Sequence, residues 1–221
     1  MNEKRFSVGP TTNVNQFFSK SENLSARYAS WDHCYIYFRT AHAEGRLSNL
    51  SDGKMLQTSC MFLGFYLASW GMYRNSELQR RNAYALAPVI QEIVAAPSEV
   101  WALDVENYDE ESIKSILKTA EMIRKALPGY ATDTLVSKTM LGTFGNVPAF
   151  DTYFRKGFGI NRFNAESLKE IKRYFDQHQK EFQSLRRQTK DFEGKPTDLK
   201  YTQAKLIDMV FFVEGGGIRD I

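Results

Sequence analysis

The sequence predicts an all-α protein, on three observations. Apolar residues recur at three- and four-residue intervals over most of the chain, alternating strand patterns are scarce, and several periodic segments stop at Gly or Pro. With 221 residues the chain suits one compact helical domain over 1–221, or two helical lobes sharing an interface.

Leu24, Tyr28, Trp31, Tyr35, Phe38 and His42 follow a 4-3-4-3-4 spacing, which predicts a helix with an aromatic core stripe that frays near Gly45. Lys54 to Trp70 is apolar on nearly every face and is expected to be the central helix, ended by Gly71. Glu77 to Ala96 reads as a third helix, kinked or split at Pro88 and closed by Pro97. Ser98 is expected to cap a short turn through Trp101. Asp109 caps a helix carrying Ile113, Ile116, Leu117, Ala120 and Ile123 up to Pro128-Gly129.

Two short helices follow, parted by Gly145-Asn146, with Asn146 as the cap of the second and Pro148 early in it. A long helix from Asn164 to Lys190 places Leu168, Ile171, Phe175, His178, Phe182 and Leu185 on one narrow seam. Residues 191–198, with Gly194 and Pro196, read as a loop or hinge. Thr197 or Asp198 caps an apolar last helix through Val213, and Gly215-Gly216-Gly217 frees the tail.

The opening residues, expected to be a short flexible N-terminus, carry no apolar secretory segment, and the longest largely apolar run, Met61 to Trp70, is about half a membrane span. The expectation is a soluble, cytoplasmic protein that does not enter membranes. Its two cysteines, Cys34 and Cys60, are expected to be reduced, and their spacing to His33 and His42 is not that of a metal site. The net charge of +3 is unevenly spread. Arg155 to Lys190 holds ten Lys or Arg against four acids, and Glu99 to Glu121 seven acids against two lysines. That basic stretch, with Arg155, Lys156, Arg162, Lys172, Arg173, Arg186 and Arg187, fits a polyanion such as DNA, or else a solvated face.

Lys138 falls opposite the apolar side of its helix, beside Gly142, so it is expected to face away from the core, as a solvated lysine or as an amine at the floor of a cleft. Asp151 stands near the first turn of the next helix, where the dipole favours a carboxylate that could activate water or stabilise a cation. Trp70, Tyr73 and Arg74 straddle Gly71 and form a candidate pocket in which an aromatic and a cation meet a base. His178, on the seam, reads as a packed, hydrogen-bonded residue.

The helix carrying Lys138, the short loop and Val147-Pro148-Ala149-Phe150-Asp151-Thr152 together resemble a segment of the helix-hairpin-helix DNA glycosylase superfamily. There a lysine in the second hairpin helix precedes a Val-Pro-Val-Asp type segment. The likeness covers roughly twenty residues, and Thr132 to Ser137, read as the hairpin, lacks the superfamily's Gly-apolar-Gly pattern. The resemblance implies a hydrolase that releases a base from DNA without a cofactor, Asp151 assisting base loss and Lys138 attacking the sugar carbon. Two other readings stay open. One is a non-enzymatic protein that docks a partner through the basic long helix or the apolar last helix, and the other is a small-molecule binder built around the aromatic stripe.

Overall fold

Eleven α-helices, several 3-10 turns and one two-stranded hairpin make up the described residues, 3–74 and 76–218, in the computed structural model. The helices are α1 (Pro10–Ser21), α2 (Ser30–Ala43), α3 (Gly53–Ser69), α4 (Ala87–Val94), α5 (Ser98–Ala102), α6 (Glu110–Ala126), α7 (Asp133–Thr143), α8 (Thr152–Phe158), α9 (Ala165–Gln177), α10 (Gln179–Leu185) and α11 (Gln203–Glu214). Strands β1 (Gln188–Lys190) and β2 (Pro196–Lys200) pair antiparallel. The mostly helical class follows the periodicity. No helix of the described residues is long and apolar enough to cross a membrane.

The centre of the molecule differs from the expectation. Every residue from Leu135 to Asp151 and from Tyr201 to Phe212 is buried, so α7 and α11 are the inner helices. By contrast α3 lies at the periphery and exposes Met61, Phe62 and Phe65. Helix α11 packs on α8 and α1, which removes it as a docking surface. Gly157 of α8 and Gly215 make this approach possible: a Cβ at Gly157 would collide with the Phe211 carbonyl oxygen and stand 2.9 Å from Gly215 N.

Several boundaries move for local reasons. Helix α1 has no counterpart in the sequence reading, because Val14, Phe17 and Phe18 give it only a short apolar stripe. Residues 77–96 divide into two 3-10 turns and α4, with Pro88 in the first turn of α4, where its missing N–H costs nothing. The long helix stops at His178, whose ring bonds the Phe6 carbonyl at 3.1 Å and the Glu181 carboxylate at 2.8 Å, and α10 follows it as a separate helix. Arg186 and Arg187 therefore leave the helix. The hinge at 191–198 is instead the turn of the β hairpin, closed by Thr189–Thr197 at 2.6 Å and by Asp191, which accepts from the Glu193 and Lys195 N–H groups. Thr202, not Thr197 or Asp198, caps α11, and Asp104 accepts from the Gln203 and Ala204 N–H groups at the same end.

The chain ends are fixed as far as they are described. Residues 3–7 form a 3-10 turn in which buried Arg5 pairs with Glu170 at 2.7 Å, in place of the flexible start expected there; Met1 and Asn2 lie outside the described residues. Gly217 N–H donates to the Phe212 carbonyl at 2.8 Å, so the three glycines belong to the fold, and residues 219–221 lie outside the described part.

Asp32 ties α2 to the hairpin, accepting from the Tyr201 hydroxyl at 2.7 Å and the Lys190 N–H at 3.4 Å. Burial pushes its carboxyl up to about 6, against these hydrogen bonds. A folded pKa above the unfolded value means that the native state holds the proton more tightly. The contribution is therefore complete below pH 4 and is lost as pH rises through 6. Asp32→Asn, which keeps an acceptor for Tyr201, is expected to gain stability relative to the native protein between pH 4 and 7, by up to about 3 kcal/mol. Urea unfolding at both pH values checks this; a gap that does not widen with pH contradicts it.

Candidate functional site

The site begins with the connection between α6 and α7. Leu127-Pro128-Gly129-Tyr130-Ala131-Thr132 turns the chain, with Gly129 at φ +71° packed against Glu77, and Thr132 caps α7 by accepting from the Leu135 N–H. Thr132 to Ser137 are thus the cap and first residues of α7, and the turn precedes them. Arg124 fastens it, bonding the Ala131 carbonyl and the Asp133 carboxylate.

Helix α7 then runs inward. Gly142 receives the face of Tyr66, where a Cβ would meet Cδ1 at 2.7 Å, and Gly145 at φ +72° turns the chain beneath Tyr35. Residues 144–151 do not form the helix expected from Asn146 and Pro148. They cross the core without regular structure, held from both sides: the Phe150 N–H donates to Ser137 Oγ at 2.8 Å, Thr134 Oγ1 to the Phe150 carbonyl at 2.8 Å, and the Ala149 N–H to Asp208 Oδ1 at 3.0 Å. Asp151 ends this crossing as the cap of α8, accepting from the Phe154 N–H at 2.9 Å.

Lys138 and Asp151 meet there. Lys138 Nζ donates to Asp151 Oδ2 at 2.9 Å, and the lysine is only 3% exposed. The helical wheel puts Lys138 opposite the apolar side chains, but the opposite side of α7 is also covered, by α3 and by the crossing segment. The outward-facing lysine is thus corrected to a buried one. A lysine in this environment needs its partner, because an unpaired ammonium in the interior is far more costly than a paired one.

A second pair, which the sequence reading missed, adjoins the first. Lys205 Nζ donates to Asp208 Oδ2 at 2.8 Å within α11, and both residues are buried. The signal was present: a lysine and an aspartate three apart inside Leu206-Ile207 and Met209-Val210-Phe211-Phe212, where charges have no place unless paired. Trp70 joins the two pairs, with Lys138 Nζ 4.9 Å and Lys205 Nζ 5.5 Å from its ring centre. Tyr66 lies within the field of both carboxylates, and its hydroxyl is held well above the usual range by burial first and by Asp208 and Asp151 in addition.

A cleft of about 690 Å³ lies between the α6–α7 turn and the chain that leaves α3; its lining includes the first turn of α7 but none of Lys138, Asp151, Lys205 and Asp208. Arg74, Glu77, Arg80, Tyr130, Thr132 and Thr134 are among its lining residues. Of its lining, Thr134 stands one helical turn before Lys138 and donates a hydrogen bond to the carbonyl of Phe150, next to Asp151, and Gly71 follows Trp70 in the chain. Of the three residues expected to share a pocket, only Arg74 reaches this cleft. Trp70 turns inward to the lysines, and Tyr73 places its hydroxyl against Gly64.

Most of the basic residues are engaged within the protein. Lys172 pairs with Asp176 at 2.5 Å, Arg173 lies over Phe6, Arg186 bonds the Tyr201 carbonyl, and Arg187 bonds Asn15 while covering Phe18. Arg155 Nε donates to the Asp151 carbonyl at 3.4 Å, and Lys156 and Arg162 are exposed. Among the described residues no group of His, Cys, Asp or Glu is arranged to hold a metal ion. Comparison with protein-family models, curated proteins and solved structures gave no match for this chain.

Proposed function

We propose that the protein acts on DNA as a base-releasing hydrolase in which Asp151 is the working carboxylate and Lys138 its counter-ion. The observation that carries this reading is the buried pair formed with Asp151 by Lys138 of α7, the helix whose first turn, through Thr134 and Leu135, lines a cleft of about 690 Å³. A cleft of this size accepts a nucleotide, with Arg74 and Arg80 available to phosphate and Tyr130 to a base. Glu77 shares the cleft, partly neutralised by Arg80 at 3.9 Å and Arg81 at 3.7 Å.

In this reading the base leaves the stack, and the fixed charge of Asp151 stabilises the cation that develops on the sugar or orients the attacking water. The wall at Gly71 and Met72 has to part for the sugar to arrive. Lys138, buried and donating to Asp151 at 2.9 Å, serves in this reading as counter-ion and not as nucleophile. The burial of both partners favours one rival, a non-enzymatic helical protein in which the pair is architectural.

A panel of modified duplexes separates the two. The expected result is slow base release from at least one modified duplex, with salt-sensitive binding and no adduct trapped by borohydride. Absence of both base release and DNA binding at low salt would leave the architectural reading.

A further inference from the structure

Among the described residues, six of the seven exposed large apolar side chains stand on or near α3 and the turn of the β hairpin: Leu24 ahead of α2, Met61, Phe62 and Phe65 on α3, Tyr84 in the 3-10 turn 83–86, and Phe192 in the hairpin turn. Contacts link several of them. Leu24 packs on Gly194 in the hairpin turn, Phe192 contacts the His33 ring at 5.2 Å, Tyr37 stacks on Phe62 at 4.3 Å, and Met61 shares a shallow cleft with Tyr84. Phe65, 68% exposed, stands on α3 one turn beyond Met61. Helix α3 is mostly apolar, and although α2, α4 and α7 pack on it, Met61, Phe62 and Phe65 stay exposed.

Beside these side chains lies a groove of about 360 Å³ lined by Ile36, Tyr37, Ala41, Leu50 and Met55, with Phe62 and Phe192 at its edge. Its charged members are already engaged: Arg46 pairs with Glu44, and Asp191 accepts from its own turn. Projecting aromatics and an apolar groove on one face are complementary to the same face of an identical molecule turned by a two-fold axis, which matches each projection with a groove at once. The area agrees. At roughly 200 Å² for a fully exposed large side chain, the six present about 700 Å², close to the ~800 Å² per partner of a standard interface.

We infer that the protein is a two-fold dimer in solution, formed through α3 and the hairpin tip. The projecting Phe65 and Phe192 of each copy enter the other copy's groove. This arrangement leaves the cleft beside Tyr130 uncovered, so it is independent of the proposed activity.

Sedimentation over 1 to 100 µM tests it, with Phe65→Glu, Phe192→Ser and, as a control on the other exposed aromatic, Tyr130→Ser. The native protein and Tyr130→Ser are expected to sediment as dimers, and Phe65→Glu as a monomer with unchanged helical circular dichroism. Phe192→Ser is expected to weaken dimerisation at least tenfold. A native protein that stays monomeric at 100 µM overturns the inference, as does a dimer that survives both Phe65→Glu and Phe192→Ser.

Discussion

Truncation of Lys138 to alanine is expected to destabilise the protein by about 3 to 5 kcal/mol, the cost of leaving a buried carboxylate without its counter-charge. Asp151 would keep one hydrogen bond, from the Phe154 N–H, and lose the ammonium 2.9 Å away. For a protein of ordinary stability this is a large part of the whole. Urea unfolding followed by circular dichroism measures it. A change below about 1 kcal/mol would mean that the lysine reaches solvent, as the helical wheel alone had implied.

Gly157→Ala is expected to be comparably severe. The added methyl group would meet the Phe211 carbonyl oxygen and Gly215 N, both backbone atoms that no rotamer change can move. Helix α8 would have to withdraw from α11, at a cost in the upper part of the overpacking range, about 3 kcal/mol or more. Because Asp151 caps α8, the withdrawal also shifts the carboxylate from Lys138. The thermal midpoint reports the first effect. The second appears as loss of any base release at a temperature where the variant remains folded; a variant with native stability would contradict the close approach of the two helices.

The helical class, the end of α2 and the boundaries of α3 and α6 were legible because periodicity and caps act locally: Asp109 caps α6 and Gly71 ends α3 by the chemistry of their own neighbours, whereas α2 begins at Ser30, not at the exposed Leu24. What decides inside from outside is not local. Apolar periodicity marks α3 as more deeply buried than α7, yet α7 lies at the centre because its polar side chains Ser137, Lys138 and Thr139 have partners inside the protein. The residues Lys138 and Asp151 could be singled out from the sequence, but their contact depends on how residues 144–151 cross the core, which the tertiary bonds to Ser137, Thr134 and Asp208 determine. Lys205 and Asp208 carried a signal, charge within an apolar helix, that only pairing makes intelligible.

The central claim, that the Lys138–Asp151 pair performs chemistry as well as holding the fold, is tested most directly by single-turnover base release in the double variant Lys138→Met, Asp151→Asn. Methionine retains the length of the lysine stem and asparagine retains the cap of α8, so removing both charges together leaves no unpaired ion and is expected to preserve stability to within about 1 kcal/mol. The double variant is expected to fold, to bind the modified duplex as the native protein does and to release base at least a hundredfold more slowly. Base release at the native rate by that variant would contradict the claim.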